Sequence, residues 1–173
     1  MKNFKYILVL AIFASCSTPT AVFDYDQKAS FNTLNTYEIY PNLASRMSQL
    51  DEQRVLSILE REMASEGFSC TEDPHIYINF YASEYETASR NNIGVGVGGG
   101  GGNVGVGVSG GFPIGGPDTY LRLTLDFIDA KNDSLIWQAV VDGKFDKKAT
   151  PQNRETQLSI MVLKALNGYP PKK

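Results

Sequence analysis

Tyr120–Ala130 reads YLRLTLDFIDA, Lys131–Ser134 reads KNDS, and Leu135–Phe145 reads LIWQAVVDGKF. The fold turns on this stretch. Leu121, Leu123, Leu125 and Phe127 alternate with Arg122, Thr124 and Asp126. Such alternation puts apolar side chains on one face of a strand and polar ones on the other. KNDS is built from turn formers. Leu135, Trp137, Ala139 and Val141 then share one face of the returning strand. The three pieces predict an antiparallel hairpin in a sheet with one covered face.

Downstream, Thr150 offers an N-cap and Pro151 a first helical position. Leu158, Met161, Val162, Ala165 and Leu166 form an apolar stripe at helical spacing. Gly168 ends that helix and Pro170-Pro171 prevents its continuation. Upstream, His75–Glu86 reads as a strand with Ile76, Ile78, Phe80 and Ala82 inward. Tyr77, Asn79, Tyr81 and Ser83 take its other face. Ser48 and Asp51 make a capping-box start for a helix over Leu50–Glu66, with Val55, Leu56, Leu59 and Met63 as its stripe. Gly67 and Phe68 suit its C-terminus.

Val22–Gln27 and Thr36–Tyr40 read as two further strands. Ala29–Asn32 joins them by a hairpin-like connection, with Phe31 and Leu34 packed beneath. The expectation is an α+β fold of order β-β-α-β-β-β-α. It comprises an antiparallel sheet and two amphipathic helices packed on one face. Residues 22–173 form a single domain.

Composition agrees with one folded domain: 173 residues, 42% hydrophobic and 20% charged. A net charge of −3 excludes an electrostatic nucleic-acid binder. Two Cys and one His are too few for a zinc site of four Cys, or of two Cys and two His.

Residues 1–15 read as a signal peptide: Lys2 and Lys5 precede the apolar run Tyr6–Phe13. That run is far short of the ~20 residues a membrane helix needs. Phe13-Ala14-Ser15-Cys16 resembles a lipobox, with Cys16 as the lipidation site. Residues 16–21 would then be a short tether. Two or more acyl chains give stable anchoring where one is marginal. Ser17 after Cys16 points to an outer membrane, with the domain facing the periplasm. Cys70, the other thiol, is expected to be a small buried hydrophobe near a strand.

Ser89–Pro117 is a glycine-rich insertion between two strands, and 13 of the 16 glycines lie between Gly94 and Gly116. Gly94–Gly99 resembles the start of a dinucleotide fingerprint, but no helix pattern follows to receive a phosphate. Ile93, Val95 and Val97 mirror Val104, Val106 and Val108. A hairpin centred between Gly100 and Gly101 would set Ile93 opposite Val108, Val95 opposite Val106 and Val97 opposite Val104. A flexible low-complexity loop is the competing reading.

His75 is the only histidine, and no HExxH or GxSxG motif occurs. A partly exposed strand-edge residue is its expected role. Asp126, Asp129 and Asp133 fall near one turn, as a weak calcium site or as turn chemistry. Tyr77, Tyr81 and Tyr85 form a row on the non-core face. Such a row grips glycan, peptide or a partner sheet, or braces the sheet by cross-strand aromatic pairs.

Several pieces in order carry a family resemblance: Asp24-Tyr25-Asp26, Phe31–Tyr40 (FNTLNTYEIY), Glu66-Gly67-Phe68, Asp73–Ile78 (DPHIYI), Leu123–Trp137 and Lys164–Pro171 (KALNGYPP). Together the set resembles the domain-of-unknown-function 4136 family of bacterial lipoproteins. The resemblance implies a cell-envelope lipoprotein and no known reaction.

The functional expectation is a non-enzymatic binding module, with no catalytic residue and no cofactor. It would contact the membrane through Cys16 and an envelope protein or polymer through Tyr77, Tyr81, Tyr85, Val95, Val97, Val104 and Val106. The alternative is an enzyme or accessory subunit acting on envelope glycan or peptide through surface carboxylates. A third reading is self-association through the Val face of residues 93–108.

Overall fold

The computed structural model describes residues 18–87, 92–95, 110–113 and 116–171, with only the backbone at 92–95 and 110–113. Its strands are β1 (Thr20–Tyr25), β2 (Thr36–Ile39), β3 (Ser69–Cys70) and β4 (Ile76–Thr87). They continue with β5 (Asn92–Val95), β6 (Gly110–Pro113), β7 (Asp118–Asp129) and β8 (Ser134–Lys144). Helix α1 spans Gln49–Ser65 and α2 spans Pro151–Leu166.

Both helices begin, and α1 ends, as their sequences dictate; α2 instead closes on Asn167 in right-handed conformation, with Gly168 outside the left-handed region. Ser48 Oγ accepts the Asp51 amide at 3.2 Å, and Thr150 Oγ1 accepts that of Asn153 at 3.3 Å. Gly67 closes α1 at φ 86°, with the Phe68 amide donating to Met63 O at 2.9 Å. That is the left-handed turn glycine permits at no steric cost. Val55, Ile58, Leu59 and Met63 of α1 are buried, as are Leu158, Met161, Val162 and Ala165 of α2. Leu56, expected in the α1 stripe, is only half-buried, and Ile58 takes the core position.

The helices cover one face of a six-stranded sheet of order β1-β8-β7-β4-β2-β3. Between them lie Phe80, Phe127 and Trp137, each fully buried. Gly143 lets α2 lie close to the sheet: a Cβ there would meet Met161 Sδ at 3.2 Å.

The expected order β-β-α-β-β-β-α gains three short strands, β3, β5 and β6, and four further expectations need correction. The sheet is mixed, because β2 runs parallel to β3 and β4. Helix α1 carries the chain back over the sheet after β2, and a return by helix yields parallel neighbours. β1 and β2 are not a hairpin: β1 pairs with β8, on the opposite side of the sheet from β2. Phe31 is buried between Tyr25 and Tyr169, with ring centroids 6.1 and 5.7 Å away, so the connection crosses the end of the sheet.

Leu135 leaves the core face and is 51% exposed. A bulge lies in β8 where Phe127 faces Trp137 but Ile128 faces Leu135. The extra residue, Ile136, is buried instead; an unpaired residue re-aims its neighbours in this way. Finally, Cys70 is exposed, because β3 is a two-residue edge strand with no element outside it.

The glycine-rich segment contains a ladder, in a different register from the mirrored one. β5 and β6 pair antiparallel, with Ile93 opposite Phe112 and Val95 opposite Gly110. Val97, Val104, Val106 and Val108 lie outside the described residues. Thr87 faces Asp118, and Asn92 faces Pro113, five residues further along each strand. The β5–β6 ladder forms a two-stranded sheet of its own.

Candidate binding face

The sheet face opposite the helices is assembled row by row from the register. Tyr77, Asn79, Tyr81, Ser83 and Tyr85 all point from β4 onto it, as their alternation predicts. Four residues separate successive tyrosines, about 13 Å along a strand.

Each tyrosine is braced. Tyr77 meets Tyr40 edge to face at 5.7 Å between centroids. Tyr81 carries the Arg46 guanidinium 5.8 Å above its ring. Tyr85 stacks on Tyr120, its direct cross-strand partner, at 5.6 Å, and Arg122 lies 5.5 Å from the same ring. Both aspects of the tyrosine row are therefore present: an aromatic surface, and rings held by neighbours.

Polar rows lie between the rings. Asp126, 8% exposed, accepts from Gln138 Nε2 at 2.8 Å and from Asn79 Nδ2 at 3.4 Å. Arg122 donates Nε and Nη2 to the two carboxylate oxygens of Asp142, each at 2.9 Å. This two-pronged pairing holds the Asp142 carboxyl below its ordinary value. Burial, and then the Asp142 carboxylate, push the Tyr85 phenol up.

Arg46 was not legible in the sequence. It sits at φ 58°, a backbone region costly for a side chain larger than glycine. Its loop is fastened along β4: Tyr40 donates its amide to Ile78 O at 2.9 Å, and Ala82 donates to Ser45 O at 2.8 Å. Ser45 also hydrogen-bonds Glu52 of α1. No local composition signal marks such a strap; it lies where the short β2 leaves the far half of β4 without a strand on the edge opposite β7.

The three carboxylates near the β7–β8 turn do not converge. Asp126 is held in the sheet network above. Asp129 accepts the amides of Lys131 and Asn132 at 2.9 and 3.1 Å, shaping the turn. Asp133, at φ 50°, accepts from the Tyr40 hydroxyl at 3.3 Å. Among the described residues no group of three or more His, Cys, Asp or Glu side chains is placed to hold a metal ion.

His75 is half-buried at the start of β4, where its Nδ1 accepts the Asn35 amide at 3.4 Å. It lines a polar cavity of about 490 Å³ with Asp26, Lys28, Asp129 and Lys131. That cavity opens at the end of the sheet, away from Tyr81 and Tyr85. Its Asp26 and Asp129 carboxylates both accept amides from turns, Asp26 from Lys28 at 2.8 Å.

No curated protein matches the chain. Its fold resembles that of a PDZ domain protein from Parabacteroides distasonis ATCC 8503, with TM-score 0.54 and 11% identity. The match covers 90% of this chain and 37% of that one, so the chain spans little more than a third of that protein's length. It also resembles the PelC dodecamer from Paraburkholderia phytofirmans, with TM-score 0.53 and 11% identity, over 90% of this chain and 100% of that one. At this identity both likenesses concern the fold alone. A family model, in contrast, matches residues 21–171, nearly the whole described chain: the protein belongs to the family named Domain of unknown function (DUF4136).

Proposed function

We propose that the protein is a lipid-anchored cell-envelope module that binds an extended envelope glycan along the open face of its sheet. The observation that carries this reading is the braced row of Tyr77, Tyr81 and Tyr85 on the face the helices leave uncovered. A single aromatic ring offers one contact. Three rings about 13 Å apart in a line, with amide, hydroxyl and guanidinium groups between them, suit a polymer. Their neighbours already hold the rings, so little rotamer entropy is lost on binding.

The lipobox-like Phe13–Cys16 supports anchoring through Cys16, and Ser17 supports an outer-membrane address facing the periplasm. The carboxylates of the face are committed to Gln138, Asn79 and Arg122, which favours binding over acid–base chemistry.

Retention of the purified protein on peptidoglycan sacculi tests the binding face. The double variant Tyr77→Ala/Tyr81→Ala is expected to reduce retention at least tenfold with an unchanged fold by circular dichroism. Equal retention of variant and parent, or no retention of either, would refute glycan binding. Anchoring is tested separately by mass: the mature N-terminal peptide should begin at Cys16 and carry diacylglycerol. An unmodified Cys16 peptide removes that part of the proposal.

A further inference from the structure

One cross-strand row of the open face presents acceptors. Asn79 of β4 faces Asp126 of β7, Asp126 faces Gln138 of β8, and Gln138 faces Asp24 of β1. The four positions span about 14 Å across the sheet. A carboxylate only accepts hydrogen bonds, so Asn79 and Gln138 each turn their amide nitrogen to Asp126. Their carbonyl oxygens, Asn79 Oδ1 and Gln138 Oε1, are left over, and neither accepts a hydrogen bond among the described residues. Asp24 spends Oδ1 on the Tyr25 amide at 2.9 Å.

Charge sets this row apart. Asp126 is 8% exposed, yet its partners are neutral amides. Among the described residues no cation forms an ion pair with Asp126 or Asp24. Arg122, two rows away, is held by Asp142. A carboxylate this buried is ordinarily paired with a cation or bound to a metal. The donor set does not suit a metal, since no three His, Cys, Asp or Glu converge among the described residues. It does suit an ammonium group, which carries three N–H donors and accepts nothing. Asn79 Oδ1, Gln138 Oε1 and the Asp126 carboxylate are three acceptors on adjacent strands. Tyr77 and Tyr81 stand in the rows on either side of Asn79, and aromatic faces attract a cation.

We propose that this row is an ammonium-binding subsite, so that the glycan on the open face carries free primary amines. The inference rests on the glycan reading for the polymer, and on Asp126 with its two amides for the charge.

The test uses the full-length protein in detergent, in about 150 mM salt to screen exposed charges. Calorimetric titration compares a glucosamine hexamer with the same hexamer fully N-acetylated, under conditions where the amines are protonated and the carboxylates ionised. The two probes differ only in the amine. The glucosamine hexamer should bind at least tenfold more tightly. Asp126→Asn should cut that preference below threefold. Asp24→Asn, at the exposed edge of the row, should lower it in part without altering the thermal transition, which keeps the test decisive if Asp126→Asn does not fold. Glu155→Gln removes the same charge from an exposed position on α2 and should leave the preference intact.

Equal affinity for the two hexamers would overturn the subsite, as would binding of neither. So would a preference lost equally in Glu155→Gln, which would mark net charge and no site. The Tyr77→Ala/Tyr81→Ala variant separates this inference from the reading beneath it. Equal affinities in the parent that both collapse in the tyrosine variant sink the subsite and leave the glycan face standing. A preference lost in Asp126→Asn, with both affinities unchanged in the tyrosine variant, keeps the subsite and sinks the face.

Discussion

Tyr169 sits among four aromatic rings. Its centroid lies 4.6 Å from that of Phe127, 5.4 Å from Trp137, 5.7 Å from Phe31 and 5.9 Å from Phe68. The ring gains from every contact, yet its hydroxyl is buried with no protein donor or acceptor. An unpaired buried hydroxyl costs roughly 1–3 kcal/mol, while removing it with the ring retained is neutral or favourable. Tyr169 is only half-buried as a residue, so the low end applies: Tyr169→Phe should stabilise the domain by about 1 kcal/mol. For a chain of this size that is roughly 2–4 °C in Tm. Tyr169→Ala, which discards the ring, should instead cost about 3 kcal/mol or more.

A second axis sharpens the test. Burial pushes the Tyr169 phenol up to about 12, against an ordinary value near 10. Its neutral form contributes fully below pH 10. That contribution is lost between pH 10 and 12, where the unfolded chain releases the proton first. Phenylalanine has no proton to lose, so the gap between variant and parent should widen on going from pH 8 to pH 11. Thermal melts at both values read it. A Phe variant less stable than the parent at pH 8, or a gap that closes at pH 11, would refute the account of this hydroxyl.

Two further outcomes follow from close contacts. A Cβ at Gly168 would lie 2.3 Å from the Phe23 ring, so Gly168→Ala must displace that ring from its place 6.2 Å from Trp137; Trp137 is the sole tryptophan, and its emission should shift, whereas an unchanged spectrum would show that Phe23 is not packed there. Arg122 holds the Asp142 carboxyl below its ordinary value, so the pair contributes above about pH 4 and its contribution fades as the pH falls through the lowered value. Arg122→Gln should therefore lower the urea midpoint at pH 6, and parent and variant should converge toward pH 3; a constant difference across that range would contradict the pairing.

The helices were legible almost to the residue because their ends carry chemistry. Ser48, Thr150, Pro151 and Gly67 each solve a backbone problem only a helix terminus has, and each is found solving it. The strands of the β7–β8 hairpin were legible from alternation, except at Leu135. A bulge does not change which residues are apolar, so Leu135, Ile136 and Trp137 in succession fit two phasings, and only the pairing with Phe127 and Ile128 selects one. The parallel placement of β2 was missed for a different reason. Composition tells that a helix follows a strand, but strand direction is set by where the next strand docks. Here Tyr37 faces both Cys70 and Ile76, so β2 is pinned between two later segments. Of the binding face, the tyrosine row was visible in the alternation of β4, while Arg46 and Tyr40 reach it from a strap tied by long-range backbone bonds.

The glycine-rich segment separates two things that sequence symmetry runs together. The mirrored valines put Val95 opposite Val106, whereas the ladder puts it opposite Gly110, a shift of four residues. Four is an even number, and side chains in a strand repeat every two residues. The shift therefore changes every pair and leaves the face of each residue unaltered, whereas a slip of one would have exchanged the two faces. Ile93, Val95 and Phe112 remain on one side in either register. A surface read from alternation thus tolerates the error that cross-strand pairing energies do not.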